Sequence, residues 1–458
     1  MSGLFGTLSI ALGALQAQQA GMQTTTNNLA NLNTPGYSRE VPILEEAAPI
    51  VQGNVTFGGG VELEGIQSLR DNLLDLQISD ETQQQGNSQA YVNAMNQVQT
   101  LFPDDTTGIG AQISAFFQSL NSLSTDPSDL TLRQSVLTAA NGMASAFNST
   151  ANQITAVSNQ LDSSVQQQVQ QVNQISQQIA AINVQLAAVS STGQDYGSFL
   201  DQRGALIQQL SGIIDVSQIS DGTSLTLTTK QGAALVVDGQ AYALSTATDA
   251  SGAQHIYSSQ GNDITGQISG GALGGLLQVL GQTLPSLQGQ LDSLAGGMVQ
   301  ALNTANQEGT DLNGNPGGNL FDPITGAGAA ASMTVAITDP ALIAAGSDGT
   351  PGSNGNLANL SAVANAAVSN GMTPSGAYGN LVFQVGTSIS NGTTDLNASN
   401  AMLQQLQQQD SSVSGVSLDE EASNLLLYQR AYQAAAQAIT TVNQMLETVI
   451  DMGASGSS

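Results

Sequence analysis

The sequence predicts a mainly α-helical protein with a smaller β-rich insertion: long coiled-coil-type helices at both ends and a central helical-bundle domain. Three observations lead there. Both ends carry apolar residues at alternating spacings of three and four, and helical periodicity runs through most of the middle of the 458-residue chain. The clearest strand-like alternation lies in a short stretch after Val216.

At the N-terminus, Leu4, Leu8, Ala11, Leu15, Gln18, Met22, Thr25, Leu29 and Leu32 form the seam of an amphipathic helix. Asn33-Thr34-Pro35-Gly36 should end it, because proline disfavours helix in the residue before it and glycine completes a turn. From Val41 to Leu63 the chain is rich in Val, Ile, Pro and Gly, which predicts short strands or extended connections. Helices are then expected over 66–102, 111–123 and 130–189, with Asp126-Pro127-Ser128 as the interruption before the last. Within that last helix Val172, Ile175, Ile179, Ile182, Leu186 and Val189 repeat the coiled-coil spacing in a Gln-rich setting.

A turn at Ser191-Thr192-Gly193 and a helix over 199–210 lead into the insertion, where Leu225-Thr226-Leu227-Thr228 alternates and Asp238-Gly239 marks a turn. Ile268-Ser269-Gly270-Gly271 precedes another helix reaching Asn306, and an irregular segment follows to Ala345. The chain closes on Leu425, Tyr428, Tyr432, Ala435, Ile439, Val442, Leu446 and Val449, again at spacings of three and four.

A helix of about 30 residues is roughly 45 Å long, and a narrow apolar stripe suits a coiled-coil seam better than the face of a globular domain. The economical solution packs the first and last segments on each other and on copies from neighbouring subunits. Periodicity fits an ordinary antiparallel pair within one monomer equally well. Tyr428 and Tyr432, one turn apart, are candidates for contact with a neighbour.

Composition narrows the function. With 34 acidic and 6 basic residues the net charge is −28, so phosphate backbones and anionic lipid repel the chain, and nucleic-acid and membrane partners are not expected. The five arginines and Lys230 are scattered, so no basic patch forms. There is no cysteine, which removes disulfides, thiolate nucleophiles and Cys-ligated metals. No Lys or Arg precedes Arg39, so a cleaved secretory signal is not expected, and apolar runs fall short of the roughly 18 residues of a membrane helix.

Candidates for chemistry are few, and neither catalytic, cofactor nor metal residues are expected. His255 is the only histidine, so no triad or multi-His site can be built, and it reads as a solvated strand or loop residue. Asp419, Glu420 and Glu421 sit where a first helical turn favours acids through its dipole. Asp311-Leu312-Asn313-Gly314-Asn315 partly matches a calcium loop, but Pro316 replaces the required glycine and Asp322 the terminal glutamate, so it reads as a turn. The glycines at 58–60 and 270–275 lack the spacing and lysine of a phosphate loop.

One segment is more specific than any of these. Asn27-Asn28-Leu29-Ala30-Asn31-Leu32-Asn33-Thr34-Pro35-Gly36-Tyr37-Ser38-Arg39 resembles the N-terminal signature of the flagellar rod, hook and hook-associated axial proteins. Its Thr-Pro-Gly-Tyr-Ser-Arg ending is similar to the form found in the hook-associated protein 1 (hook-filament junction) family. Val416 to Leu425 with Tyr428-Gln429-Arg430-Ala431-Tyr432 resembles the family's C-terminal signature. Phe199-Leu200-Asp201-Gln202-Arg203 and Ile268 to Leu277 look like further segments of it. Gln437, where the family often has a basic residue, and the short insertion over 216–262 depart from it.

The resemblance implies a structural subunit of the bacterial flagellum, extracellular at the hook-filament junction, with no enzyme activity and no cofactor. It implies three layers: residues 1–35 and 415–458 as an inner-tube domain of heptad helices, 36–215 and 263–414 as a central mainly helical domain, and 216–262 as a small outer β-rich domain. Expected partners are identical subunits in a ring, hook protein on one side and the next hook-associated protein on the other. Type III export without a cleaved signal and a flagellar chaperone on the C-terminal region are also implied. The assembly interface is expected on Leu4, Leu8, Leu15, Met22, Leu29, Leu32, Leu425, Tyr428, Tyr432, Ile439, Val442, Leu446 and Val449. The signature residues are Asn28, Asn31, Thr34, Pro35, Gly36, Tyr37, Asp419, Glu420 and Glu421. A hook or distal-rod subunit is the alternative within the family, and a secreted enzyme or an adhesin using 216–262 the alternative outside it.

Overall fold

The longest element follows from the longest uninterrupted apolar stripe. In the computed structural model, which describes residues 2–52, 55–103, 105–190, 196–221, 223–250, 252–350 and 352–455, helix α4 runs without a break over Leu130–Ser190. At 1.5 Å per residue it is about 90 Å long. Asp129 caps its first turn, accepting from the amides of Thr131 at 2.6 Å and Leu132 at 3.3 Å. Its buried side, including Val136, Met143, Phe147, Ile154, Leu161, Val169, Ile175, Ile179 and Leu186, recurs at the spacing expected from the sequence, and both ends of the molecule's main core lie along it. The expected turn at Ser191-Thr192-Gly193 lies outside the described residues.

The first half of α4 packs with α3 (Ile109–Leu123) and α7 (Leu284–Gln307). Its second half carries α5 (Gly197–Ser211) and the insertion. The insertion is an antiparallel meander of β5 (Ser217–Asp221), β6 (Ser224–Thr228), β7 (Ala234–Val237) and β8 (Gln240–Ala241), then a hairpin of β9 (Ser245–Thr248) and β10 (Gln254–Tyr257). Leu225, Leu227, Leu235, Val236, Leu244 and Ile256 join the same core as α4, so the insertion is docked on the helix. Asparagines on α4 fix the docking. Asn173 exchanges hydrogen bonds with both backbone groups of Leu244 at 2.8 Å, and Asn183 donates to the Asp238 carbonyl at 2.6 Å. At the β7–β8 turn Asp238 has φ 50°, and a side-chain carbon on Gly239 would stand 2.6 Å from Val184.

Helix α2 (Asn72–Gln99) starts later than expected, because residues 66–68 end strand β4 (Val61–Ser68) and Asp71 supplies the helix cap. The glycine-rich 270–275 segment opens α6 (Gly271–Gln278). A side-chain carbon would stand 2.3 Å from the Ile213–Ile214 backbone at Gly271 and 2.2 Å from the Asn87 carbonyl at Gly275, so Gly271 admits the segment that follows α5 and Gly275 lets α6 touch α2 backbone to backbone. A short π-helical stretch over 279–283 joins α6 to α7.

The described residues of 308–356 hold no α-helix or strand, but buried positions such as Leu320, Phe321, Met333 and Ile343 anchor the segment to the core, and polar side chains take the place of a ladder. Asn303 accepts from the Leu320 and Phe321 amides at 2.8 and 2.9 Å and donates to the Phe321 carbonyl at 2.9 Å. Asn306 spans the Ala344 amide and the Gly318 carbonyl, and Asn356 donates to the Ala305 and Ala344 carbonyls. Arg133, 1% exposed, donates to four carbonyls, of Pro127, Pro340, Ala341 and Ile343. Asp311 turns its carboxylate onto the Asn313 and Asn315 amides at 2.8 Å, which is the geometry of a closed turn.

After α8 (Leu357–Ala362), α9 (Pro374–Val413) runs for 40 residues against α2, with a satellite core of Leu74, Ile78, Leu403 and Leu406. The expectation of a mainly helical 263–414 region places no individual helix between 346 and 414. Its apolar signal is weakened by buried Gly392 and Ser399, where the close approach of α2 leaves no room: a side-chain carbon on Gly392 would meet Tyr91 at 2.9 Å. Asn303→Ala, which orphans two buried amides and a carbonyl, is expected to lower unfolding free energy by about 3 kcal/mol in urea titration.

Candidate assembly interface at the joined termini

Helix α1 (Ser2–Ala30) and helix α10 (Leu418–Ser455) pack on each other antiparallel within one chain. The Tyr428 ring lies over Gly21, where a side-chain carbon would come within 2.8 Å of it, so the glycine sets how closely the helices approach. On the other side of α1 lies a β-ribbon made of β1 (Glu40–Glu46) and β4, extended by β2 (Ile50–Gln52) and β3 (Val55–Phe57). Gly13 admits it: an added carbon there would be 2.5 Å from the Val61 carbonyl oxygen. The ribbon thus packs with the terminal helices, whereas the sequence grouped residues 36–215 with the central helices.

Because α1 is squeezed from two sides, its buried positions are the small and polar ones: Ala11, Ala17, Ala20, Gly21, Thr24, Thr25 and Asn28. The expected seam residues Leu4, Leu8, Leu15, Met22 and Leu32 are only half-buried, and Leu29 is exposed. On α10, Leu425, Tyr428, Tyr432, Ile439 and Leu446 are half-buried, Val442 is buried and Val449 is exposed. Phe5, Leu12, Leu426, Leu427, Met445 and Ile450 are also exposed. One chain therefore covers only part of the apolar surface of its own terminal helices.

The signature residues build the joint between the termini. Thr34-Pro35-Gly36-Tyr37 is a turn closed by the Tyr37 amide on the Thr34 carbonyl at 3.2 Å, with Gly36 at φ 76°, a conformation glycine allows at the position after proline. The turn folds the chain back so that buried Asn28 meets β1. Its amide donates to the Glu40 carbonyl at 2.8 Å, and its side-chain oxygen accepts from the Glu40 amide at 2.9 Å and the Tyr37 hydroxyl at 2.8 Å. Asn28 substitutes for a strand partner at the start of the ribbon. Asn31 donates to Asn27 at 3.0 Å and accepts from Thr34 at 3.2 Å, fastening the helix end to the turn.

Three ion pairs extend the joint. Arg39 donates to Glu421 at 2.8 Å and to Glu420 at 2.7 Å, and its amide donates to the Ser414 carbonyl at 2.8 Å between α9 and α10. The Glu421 side chain is 2% exposed and that of Glu420 60%, so the first contact is buried and the second is solvated. Asp201 on α5 pairs with Arg70 and accepts from the Ser38 amide at 3.3 Å. Burial pushes its carboxyl above the usual range, opposed by Arg70 and by Ser38. The acids at 420 and 421 read in the sequence as dipole partners of α10; their part in an ion pair with Arg39 was missed. So was Asp201, and its presence in a family-like segment was the available signal. Asp419 remains exposed in the first turn of α10.

His255 stands apart, on β10, hydrogen-bonded to Asp263 at 2.7 Å and Asp249 at 3.3 Å. These two partners raise its pKa above 6.5. Among the described residues no group of three or more His, Cys, Asp or Glu side chains could hold a metal ion, and no helix is long and apolar enough to cross a membrane.

Comparison with known proteins gives this geometry a family. The helical-domain model of flagellar hook-associated protein FlgK matches residues 95–321, the flagellar basal body rod FlgEFG protein C-terminal model matches 407–452, and the flagella basal body rod protein model matches 8–37. The chain belongs to the flagellar hook-associated protein 1 family. Flagellar hook-associated protein 1 of Bacillus subtilis (strain 168) is 29% identical over 513 residues, covering 100% of both chains. The Salmonella typhimurium protein of that name is 25% identical over 545 residues, covering 96% of this chain and 99% of its own. The flagellar hook junction protein FlgK from Burkholderia pseudomallei shares the fold, with a TM-score of 0.66 at 19% identity over 74% of this chain and 100% of that one. The family is a structural component of the flagellum, and this chain is a flagellar protein involved in motility.

Two outcomes follow from the joint and from the histidine. Arg39→Ala leaves Glu421 buried without its cation and should destabilise the start of α10 by about 2 kcal/mol, seen as faster hydrogen exchange over 418–424, whereas Glu420→Ala should change it by under about 0.5 kcal/mol. Proton NMR titration of His255 should give a pKa above 6.5 that falls in Asp263→Asn. A raised folded-state pKa means the stabilisation of β9–β10 is present in full below the unfolded value and is lost as pH rises through the folded one.

Proposed function

We propose that this protein is a structural subunit of the hook-filament junction, assembling through its terminal helices into a ring of identical copies. The observation that carries the reading is the two-helix layer of α1 and α10, whose exposed Phe5, Leu12, Leu29, Met445, Val449 and Ile450 have no covering layer among the described residues. Covering such side chains is worth about 25 cal/mol per Å² of apolar surface, which favours packing on neighbouring copies. Hook protein below the ring and the next hook-associated protein above it are the further partners, and the ring lets filament subunits add beyond the hook.

In this reading residues 1–35 and 415–458, with the ribbon against α1, form the inner layer, the α2–α9 bundle surrounds it, and the 216–262 insertion lies outermost. The subunit acts outside the cell as a mechanical connector, after type III export without a cleaved signal, with an export chaperone on the C-terminal region. The apolar seams of α1 and α10 suit this, since they stay unsatisfied until assembly covers them. Catalysis has no part in it: the polar groups that converge at the joint are engaged with each other.

Electron microscopy of cells lacking the gene tests the proposal. Bare hooks with filament protein shed into the medium are expected; filaments still attached to hooks would overturn it. Deleting 216–262 should leave swimming intact if that segment takes no part in the junction.

A further inference from the structure

Of the six cations in the chain, five are engaged within it. Arg39 and Arg70 pair with Glu420, Glu421 and Asp201, Lys230 pairs with Asp80, and Arg133 and Arg203 are buried on carbonyl and amide oxygens. Arg430 is the exception: it is exposed on α10 and, among the described residues, has no hydrogen-bond or ion-pair partner. Leu426 and Leu427 lie four and three positions before it, so all three share one face, and the two leucines are 56% and 64% exposed. This face points away from α1, which is the helix α10 packs against.

The opposite polarity stands on the ribbon. Glu45 and Glu62 face each other directly across β1 and β4, an arrangement that destabilises a ribbon unless a cation lies between them, and Glu46 and Glu64 are exposed beside them. None of the four has an ion-pair partner among the described residues. Leu44 and Leu63, also cross-strand partners, are exposed as well. Between the ribbon and α1 runs an open groove lined by Ile10, Leu44 and Val61, with Glu45 and Glu46 on its wall.

We propose that this groove receives the Leu426–Leu427–Arg430 face of α10 from a second copy of the chain, with the leucines on Leu44 and Ile10 and the guanidinium on Glu46, which shares the Leu44 face of the ribbon. The inference rests on the ring of copies argued above and names the contact that sets its order. Two different, complementary patches on one subunit make a head-to-tail interface, the kind that closes into rings. In a chain of net charge −28, copies repel one another, and Arg430, the one Lys or Arg without a partner among the described residues, selects the register in which they meet by pairing with the acidic ribbon.

The absence of cysteine makes the contact directly testable. The double variant Glu46→Cys with Arg430→Cys, carried by the full-length protein in flagellated cells, should give a ladder of linked chains after mild oxidation of isolated hooks and filaments. Either single variant should give dimers at most. A doubly substituted protein that is present in the flagella yet forms no ladder overturns the contact while leaving the junction reading in place; attached filaments in cells without the gene overturn the junction reading itself.

Charge reversal provides a second measurement that does not depend on the cysteines being tolerated. Arg430→Glu should lower incorporation into flagella at least tenfold, and adding Glu46→Arg should restore most of it. Incorporation of Arg430→Glu at the parent level, or a loss that the reversed ribbon does not recover, overturns the proposal.

Discussion

A buried contact between Arg39 and Glu421 holds together two parts of the chain 382 positions apart, and the arrangement of the terminal layer depends on it. Closing so long a loop costs little more than closing one half its length, because the entropy grows only with the logarithm of the separation. What the chain needs is a contact specific enough to choose one closure. A charged pair that loses its solvation supplies that choice, since a misplaced partner would leave Glu421 both buried and unpaired. Around the pair, Asn28 starts the ribbon, Asp201 ties the turn to α5 through Ser38 and Arg70, and Ser414 brings in the end of α9. The signature that marks the family is thus the local chemistry of one joint, where the two termini enter the body of the molecule.

Basic residues are scarce, and two of them organise the interior. Arg133 gathers carbonyls of the irregular 340–343 segment onto the start of α4, and Arg203 bonds Asn183 and the Thr223 carbonyl where the sheet meets the helix. These cations organise backbone, and their burial pushes their pKa values below the usual arginine range. The surplus of acids is left for the surface, where it keeps a chain with bare apolar helices in solution. Association between such chains has to be driven by apolar area, with charge choosing orientation.

How much of this was legible in the sequence follows from how local each cause is. Helix α4, its 130–189 range and its apolar stripe were readable because every turn repeats the same instruction over 61 residues. Helix α9 was not, because its contact with α2 needs Gly392 and Ser399 at buried positions, and these weaken the periodic signal that would announce it. The segment from Gly309 to Ala345 could be recognised as irregular, yet its attachment to the core depends on Asn303, Asn306 and Asn356 reaching backbone groups that are distant in sequence. The Asp311 turn was readable, since its carboxylate bonds amides two and four residues ahead.

The sequence by itself determined the mainly helical class, the short β insertion, the turn at Thr34 to Tyr37 and the poverty of catalytic groups, because each of these depends on residue type and near-neighbour spacing. Tertiary structure alone decided which face of α1 is buried. Leucines mark one stripe of that helix, but two neighbours approach it closely only where Gly13 and Gly21 leave room, so the small and polar residues go inside and the leucines stay partly outside. Shape complementarity between elements is a property of pairs of surfaces, and one strand of sequence shows a single surface at a time.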